Sequence, residues 1–489
     1  MTNKVKIGRL PTGIPGLDDL LGGGIPEFSF NLIAGTPGSG KTTFAHQMMF
    51  SLATPDRRAL FFTVLGEPPL KMLRYQQQFP FFDIGKINGS VKFVNLAADL
   101  LEGNFDRVSE RIAEEVQKFS PSLVFVDSFR SVVQSAQHMP KGAFGLQEFV
   151  QRLGMQMTSW QATTFLIGEY LTAEAESSPI FTVADGIIWM SQAVHRDSMV
   201  RKIQVVKMRG QAQSAGIHTF RIDDDGIRIF PRAILKAGMP DELRDASVPQ
   251  ATGDMRQSTG VPALDDMLGG GLPVGYSMLV VGPSGSGKTV MATQFLAEGV
   301  RVGEAGVIAA FEKSPNQLLS HRLTEMVKNG HVGLINTRAL DLSIDEILHD
   351  MVEMITRMKA KRVVIDSLSG FELALAAAFR EDFRESLYRL VAVLTGMGVT
   401  VLMTAELEDR YTKLSFSSYG NAFLADAIVM HRYVEIEGSL RRVLSVVKVR
   451  GSAHSKEIRF FDITKDAITI GDPLANYRSI LSGGATDKT

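Results

Sequence analysis

The sequence predicts an α/β protein of two tandem domains, each a largely parallel β-sheet with helices on both faces. Short apolar runs alternate with longer stretches of helical periodicity, which is typical of strand–helix–strand units. A segment beginning at Thr12 recurs at Thr259, and Lys41 recurs as Lys288, both at an offset of 247 residues. A constant offset indicates duplication, and a chain of 489 residues accommodates two domains of this size.

The bulk composition is that of an ordinary globular protein. Hydrophobic residues make up 45% and charged residues 21% of the chain, enough to bury a full core. The net charge of −1 gives no global electrostatic reason to expect nucleic acid or an anionic membrane as a partner. The chain has no cysteine, which excludes disulfides and thiol nucleophiles. Because no signal peptide or membrane-spanning apolar run is evident, we expect a cytoplasmic protein.

The first copy opens with an entry segment, Thr12–Pro26, followed by an apolar run, Phe30–Ala34, a glycine-rich loop and a helical stretch, Thr43–Leu52. Later apolar runs predict buried strands, and the amphipathic stretches between them predict helices. The predicted strands are Ala59–Val64, Leu123–Val126, Thr164–Ile167, Gly186–Met190 and Lys202–Lys207, and the predicted helices are Asp106–Phe119 and Gly145–Trp160.

The second copy repeats this order, with a strand at Ser277–Val281 and a helix at Val290–Gly299. Further strands are predicted at Gly306–Phe311, Arg362–Ile365, Val399–Thr404, Ala427–His431 and Arg442–Lys448, and helices at Ile344–Met358 and Glu381–Thr395. Periodicity is lost between the copies and at the carboxy terminus. We therefore predict domains at 1–232 and 258–475, a linker at 233–257 and a flexible tail at 476–489.

Each copy contains an octapeptide of the form G-x-x-x-x-G-K-[ST] between a strand and a helix, the context of a phosphate-binding loop. Its glycines let backbone N–H groups surround an anion at a helix N-terminus, its lysine reaches the β- and γ-phosphates, and its hydroxyl holds Mg²⁺. The sequence therefore predicts two sites for ATP and Mg²⁺. Their residues are Gly35, Pro37, Gly38, Ser39, Gly40, Lys41, Thr42 and Thr43 in the first copy, and Gly282, Ser284, Gly285, Ser286, Gly287, Lys288, Thr289 and Val290 in the second.

A magnesium site of this kind also needs a carboxylate, usually an aspartate at the carboxyl end of a buried strand. Asp127 and Asp366 end such strands in the two copies, each followed by serine. We expect Thr42 with Asp127, and Thr289 with Asp366, to hold the metal.

Hydrolysis further needs a group that orients the attacking water. Glu312 follows the second-copy strand Gly306–Phe311 and is the predicted general base. The first copy has Leu65 and Gly66 at that place, followed by Glu67. We therefore expect the second domain to hydrolyse ATP and the first to hydrolyse it slowly or only to bind it. Glu169 and Glu406, each at the end of a later strand, are secondary candidates.

A Lys-x-Arg-Gly sequence ends the last strand of each copy. It comprises Lys207 and Arg209 in the first copy and Lys448 and Arg450 in the second. Cations repeated at one place resemble arginine fingers, which stabilise phosphate charge from across a subunit interface. Together with Lys288 and Glu312, Lys448 and Arg450 make up the predicted catalytic set.

The two entry segments, phosphate loops, strand-end Asp-Ser pairs and Lys-x-Arg-Gly sequences resemble the KaiC-like group of RecA-superfamily double ATPases, and the resemblance covers nearly the whole chain. It implies tandem RecA-like domains and a two-tiered, ATP-dependent homo-hexamer with nucleotide at the subunit interfaces and protein partners of unknown identity. It also implies that His454 and Lys456 contact the neighbour's nucleotide; the first copy has Gln213 and Ala215 there.

The chain departs from the family at three places. Where each tier of the family carries a Glu-Glu pair, this chain has Leu65–Gly66 and Glu312–Lys313. The family's Ser-Thr phosphoacceptor pair aligns with Ala422–Phe423, which cannot be phosphorylated, although hydroxyls remain nearby at Thr412, Ser415, Ser417 and Ser418. We expect the family's long carboxy-terminal tail to be missing or curtailed here. The resemblance thus favours the fold, the nucleotide and the ring over a role in timekeeping.

The leading functional hypothesis is an ATP-hydrolysing hexameric signalling protein, with Ser/Thr autophosphorylation as a second activity to be tested. Two alternatives remain open. A DNA recombinase or helicase of the same superfamily would need a basic, aromatic-rich surface that the sequence does not display. A non-catalytic scaffold would use ATP only to hold its subunits together, as the missing first-domain carboxylates would allow.

Overall fold

The computed structural model describes residues 7–64, 69–101, 105–130, 142–171, 178–195, 198–232, 255–311, 321–336, 343–375, 377–380, 383–407, 425–436, 438–464, 467–474, 477–478 and 486–487. The chain divides into two compact units, with the division between residues 233 and 234. Each unit is built on one nine-stranded sheet. We number the strands of these two sheets β1–β18 in chain order.

The first sheet has the spatial order β9-β8-β7-β6-β1-β5-β4-β2-β3. The six strands from β6 to β3 run parallel, and β7, β8 and β9 extend the sheet antiparallel at one edge. The strands are β1 Phe30–Gly35, β2 Ala59–Thr63, β3 Val91–Asn95, β4 Leu123–Asp127, β5 Thr163–Glu169, β6 Gly186–His195, β7 Ser198–Met208, β8 His218–Asp223 and β9 Gly226–Phe230.

The second sheet repeats this order strand for strand, as β18-β17-β16-β15-β10-β14-β13-β11-β12. Its strands are β10 Ser277–Gly282, β11 Gly306–Ala310, β12 Val332–Asn336, β13 Arg362–Asp366, β14 Thr400–Glu406, β15 Ala427–Ile436, β16 Ser439–Val449, β17 Ile458–Ile463 and β18 Ile468–Pro473. The identical order in both units is the structural counterpart of the repeated sequence. The predicted fold class, two tandem α/β domains with largely parallel sheets, is confirmed.

Helices cover both faces of each sheet, because the inner strands are apolar on both sides and leave neither face to water. All six residues of β1 and of β10 are buried. The helices are α1 Leu17–Leu21, α2 Lys41–Leu52, α3 Pro69–Gln76, α4 Ala97–Leu101, α5 Phe105–Phe119, α6 Gly142–Ser159, α7 Pro179–Val183, α8 Pro262–Met267, α9 Lys288–Arg301, α10 His321–Lys328, α11 Ile344–Met358, α12 Leu368–Ala374, α13 Ala377–Arg380 and α14 Phe383–Gly396. A 3₁₀ turn lies at Ile84–Lys86.

Each entry segment is fastened by an aspartate. In the first unit the Asp18 carboxylate accepts hydrogen bonds from the backbone N–H and the hydroxyl of Thr12, at 2.9 and 2.7 Å. Asp265 does the same for Thr259 in the second unit, at 2.8 and 2.7 Å. The repeated Thr and Asp of the entry sequence are therefore structural residues.

Two short segments lie in the regions predicted as linker and tail. Arg256–Gln257 pairs with Leu272–Pro273, and Tyr477–Arg478 pairs with Thr486–Asp487. None of the helices in the described parts of the chain is long and apolar enough to cross a membrane.

Candidate functional site

The two phosphate loops lie at the carboxyl ends of β1 and β10, the central strands of the parallel sheets. Gly40 and Gly287 are the last residues before α2 and α9, with φ of 93° and 90°. A Cβ at either position would lie 2.5 Å from an isoleucine Cδ1, that of Ile222 or Ile463. Glycine is therefore required at both places, and it sets a helix N-terminus against the loop, as an anion site needs.

The loop lysines are held by main-chain carbonyls. The Lys41 Nζ donates to the Thr36 carbonyl oxygen at 2.7 Å and lies 3.5 Å from the Ser39 hydroxyl. Burial lowers the pKa of Lys41, while the nearby carboxylates of Glu169 and Asp127 act to raise it. The Lys288 Nζ donates to the carbonyl oxygens of Gly282 and Pro283 at 2.9 and 2.8 Å. Both ammonium groups thus lie inside their loops, where they can meet phosphate oxygens.

In the first domain the structure brings the two predicted metal-binding residues together. The Thr42 hydroxyl donates to the Asp127 carboxylate at 2.7 Å. Burial raises the pKa of Asp127 to about 6; the Thr42 hydrogen bond and Lys41 act to lower it, and Glu169 acts to raise it. A desolvated carboxylate beside a hydroxyl, at a phosphate loop, is a donor set that suits Mg²⁺.

In the second domain the corresponding aspartate has a different partner. The Thr404 hydroxyl, on the neighbouring strand β14, donates a hydrogen bond to the Asp366 carboxylate. Glu406 and Glu169 end the two strands at the same register, so the residue of β5 that corresponds to Thr404 is Ile167. Isoleucine has no hydroxyl to donate. Thr404 was not predicted as a site residue, and only its two-residue spacing from Glu406 could have located it.

A cavity of about 610 Å³ opens beside the first phosphate loop. Glu169 reaches it because β5 pairs with β1 so that Glu169 is opposite Gly35. Arg130 and Tyr170, whose guanidinium and ring stack at 5.3 Å, were not predicted as site residues. The cavity is lined by Pro37, Gly38, Gly40, Lys41, Thr42, Thr43, Asp127, Ser128, Arg130 and residues 168–171.

The predicted interface cations lie beside the amino-terminal ends of the parallel strands, opposite to the end that carries the phosphate loops. The Lys207 Nζ donates to the Thr182 carbonyl at 3.1 Å, and Arg209 forms an ion pair with Asp185 at 3.1 Å. The second domain repeats the Arg–Asp pair, while its lysine bonds to a carbonyl at a different position. There the Lys448 Nζ donates to the Ala425 carbonyl at 2.7 Å, and Arg450 pairs with Asp426 at 3.0 Å.

Burial, and in second place the adjacent arginine, lowers the pKa of both lysines. The side chains of Arg209 and Arg450 remain more than 60% exposed. These two guanidinium groups are therefore accessible to a neighbouring molecule.

The segment after Arg450 is fixed against the entry segment of its own domain by a hydrogen bond from the Ser455 N–H to the Met267 carbonyl, at 2.8 Å. Within it His454 is half-buried and Lys456 is exposed. In the first domain Gln213 turns inward, and its amide donates to the Val205 carbonyl at 3.0 Å, while Ala215 is exposed.

Several predicted residues lie outside the described part of the chain. They include the predicted base Glu312, its first-domain counterparts Leu65, Gly66 and Glu67, and the hydroxyl cluster Thr412–Ser418 with Ala422–Phe423. Within the described residues, no group of three or more His, Asp or Glu side chains forms a metal cluster.

The donor set of each domain fits a nucleoside triphosphate. Glycines at positive φ, a lysine bonded to loop carbonyls and a helix N-terminus converge at the end of each central strand. Fold and site together define a double phosphate-loop ATPase with one nucleotide site in each of two RecA-like domains.

Comparison with known proteins identifies the family. The family model "ATPase: KaiC" matches residues 10–234 and 257–475. The chain is 30% identical to the circadian clock protein KaiC3 of Synechocystis sp., over 98% of this chain and 94% of that protein. It is 29% identical to the circadian clock oscillator protein KaiC of Picosynechococcus sp., over 98% of this chain and 92% of that protein. The chain belongs to the KaiC family of ATPases.

Proposed function

We propose that this chain forms a homo-hexameric ring that binds ATP and Mg²⁺ at its subunit interfaces and uses hydrolysis, mainly in the second domain, to signal to partner proteins. The observation that carries the proposal is the distance between the Lys-x-Arg cations and the phosphate loop of the same domain. Both cations recur in both domains, each arginine is paired with an aspartate, and neither arginine is close to its own loop.

In the first domain this separation follows from a chain of backbone hydrogen bonds. The Arg209 N–H donates to the Asp185 carbonyl, and the Asp185 N–H donates to the Phe30 carbonyl. Phe30 begins β1, whereas the phosphate loop begins at Gly35, the other end of the same strand. Five strand residues span about 16 Å, farther than an arginine side chain reaches. Arg209 therefore suits a nucleotide held by the adjacent subunit.

The second domain repeats the arrangement. Arg450 bonds to Asp426, and Asp426 bonds to Ser277 at the start of β10. Gly282, at the other end of β10, opens the phosphate loop. The same separation in both domains supports interface completion in both tiers.

Each side chain then has a distinct role in hydrolysis. Lys41 and Lys288 neutralise the β- and γ-phosphates, and the arginine of the adjacent subunit stabilises the charge that develops on the γ-phosphate. Thr42 with Asp127, and Thr289 with Asp366, would hold Mg²⁺, which would offset the charge of the phosphates when bound. Glu312 accepts the proton of the attacking water.

The relatives named above are described as clock proteins, and a signalling role is the part of that description that this chain best supports. Its Ala422 and Phe423 replace the hydroxyl pair on which a phosphorylation cycle would act. We propose that the ring signals through hydrolysis, and that any autophosphorylation uses the remaining hydroxyls near Ser417.

A single incubation of the full chain with γ-labelled ATP and Mg²⁺ tests this function, with released phosphate and protein-bound label counted separately. We expect phosphate release that Glu312→Gln reduces at least about 100-fold, as loss of a general base does. The matched first-domain variant, Glu67→Gln, should leave most of the release intact. The reverse pattern would contradict the proposal that hydrolysis occurs mainly in the second domain.

Protein-bound label that Lys288→Ala abolishes would establish autophosphorylation. Light scattering with and without ATP tests the ring, and a monomer at saturating Mg·ATP would contradict the interface sites. ATP binding without phosphate release and without protein-bound label would favour the alternative of an ATP-dependent scaffold.

A further inference from the structure

A buried histidine lies directly behind the phosphate loop of the second domain. His431 is on β15, the strand that pairs with β10, and it is fully buried. A Cβ on Gly282, the first loop residue, would lie 2.8 Å from the Cβ of His431. The imidazole ring packs on Phe461, with ring centroids 4.7 Å apart. The histidine is thus enclosed between the loop and the antiparallel edge of the sheet.

The imidazole makes one hydrogen bond, to the loop itself. Its Nδ1 lies 2.9 Å from the carbonyl oxygen of Ser286. Burial lowers the pKa of His431 to about 4, and Lys288 acts in the same direction, so the ring is neutral at physiological pH. A carbonyl only accepts, so Nδ1 carries the proton. The other nitrogen, Nε2, has no hydrogen-bond partner among the described residues.

This bond fixes the orientation of one peptide unit in the loop. The carbonyl of Ser286 and the N–H of Gly287 belong to the same planar trans peptide and point in opposite directions. A carbonyl held by His431 therefore directs the Gly287 N–H away from the histidine, toward the inside of the loop, where such N–H groups surround phosphate. Lys288 follows immediately and begins α9.

The first domain lacks this contact. Met190 occupies the corresponding place on β6, since Gly35 pairs with Met190 as Gly282 adjoins His431. A thioether has no N–H to donate. The first loop is instead held near its start, where the Gln192 amide donates to the Pro37 carbonyl at 3.1 Å in an exposed position.

We propose that His431 is a positioning residue that preorganises the second phosphate loop, so that the second domain binds ATP more tightly than it would with the methionine of the first domain. The inference rests on the proposed nucleotide site of that domain. Preorganisation raises affinity because the peptide is already oriented before ATP binds.

Two substitutions separate the hydrogen bond from the packing. His431→Met introduces the residue that the first domain buries at this place, and it removes the donor. His431→Asn retains an N–H at the position of Nδ1, three bonds from Cα. Each variant is made in the full chain carrying Lys41→Ala, so that the measured binding comes from the second site alone. Equilibrium dialysis then measures the Kd of a labelled, non-hydrolysable ATP analogue with Mg²⁺.

We expect His431→Met to raise the Kd about fivefold to tenfold, the effect of one net hydrogen bond, and His431→Asn to stay within about twofold of the parent. In hydrolysis His431→Met should raise KM and leave kcat at saturation nearly unchanged. Equal weakening by both variants would assign the effect to ring packing and overturn the inference, as would an unchanged Kd in both. Binding in the Lys41→Ala chain that persists after Lys288→Ala would overturn the proposed site itself, and this inference with it.

Discussion

Asp127, a predicted magnesium ligand, lowers the stability of the first domain at neutral pH because its carboxylate is buried. Its carboxylate is buried at the end of β4, with the Thr42 hydroxyl as a close partner. Burial raises the pKa of Asp127 to about 6, against an ordinary value of 3.8. The folded state therefore binds this proton more tightly than the unfolded chain does. The contribution of Asp127 to stability is complete below pH 3.8 and is lost as the pH rises through 6.

We predict that Asp127→Asn stabilises the first domain in the absence of nucleotide, because the amide avoids burying a charge and still accepts from Thr42. The gain in the free energy of unfolding should be about 3 kcal/mol at pH 7 and fall below about 1 kcal/mol near pH 4. Denaturant unfolding of the first domain at both pH values measures it. A gain that does not depend on pH would show that the charge is not its cause. The same variant should lose stabilisation by Mg·ATP.

At this scale the sequence predicted the residues that lie within one motif or at a strand end. Lys41, Thr42 and Asp127 lie close together, because parallel strands bring their carboxyl ends to the same end of the sheet. His431 and Thr404 were not predicted as site residues. Each reaches its partner through the register between strands that are more than 30 residues apart in sequence, and no local pattern encodes that register.

At the scale of elements, Arg362 fixes the phosphate-loop helix of the second domain to its sheet. It begins β13 and is almost fully buried. Its guanidinium bonds to Glu304 at 2.7 Å and to the carbonyls of Ser258 and Phe295 at 2.7 and 2.9 Å. One side chain thus joins the entry segment, α9 and the loop before β11. The first domain has Leu123 at the same register.

We predict that Arg362→Leu, which copies the first-domain residue, destabilises the second domain by about 2 to 3 kcal/mol. The substitution removes three side-chain hydrogen bonds of a buried guanidinium and leaves Glu304 without its cation. Urea unfolding followed in the full chain measures the loss. The control is Arg301→Ala, on the exposed face of α9, which breaks a solvent-screened pair with Glu298. We expect it to cause no measurable change in the free energy of unfolding. Equal effects from both would show that burial does not govern this interaction.

The elements themselves were predicted to different extents. The helix Ile344–Met358 has the predicted bounds, because its apolar spacing is regular and Ser343 caps it through the Glu346 N–H at 3.2 Å. The edge strands Val91–Asn95 and Val332–Asn336 were missed, as were the last two strands of each sheet. In these strands apolar and polar residues mix on a half-exposed surface, so they lack the continuous apolar run that marks a buried parallel strand.

At the scale of the whole molecule, duplication retained the sheet and changed the sites. Both domains keep the strand order, the loop glycines and the Arg–Asp pair at the end of the sheet opposite the phosphate loop. They differ in the residues beside the loop and its aspartate: the first has Met190 and Ile167 at places where the second has His431 and Thr404. Constraint by the fold explains what is shared, and the differences coincide with the predicted division between a binding domain and a hydrolysing domain.

The placement of the arginines gives the last prediction. If Arg450 serves the neighbour's nucleotide, Arg450→Ala and Lys288→Ala each inactivate the second tier, but they damage opposite sides of an interface. Subunits of the two variants, mixed in equal amounts before ATP is added, should then regain about a quarter of wild-type phosphate release, because one interface in four pairs an intact loop with an intact arginine. Each variant alone is the control. If Arg450 acted within its own chain, mixing would restore nothing, since no subunit would carry both groups.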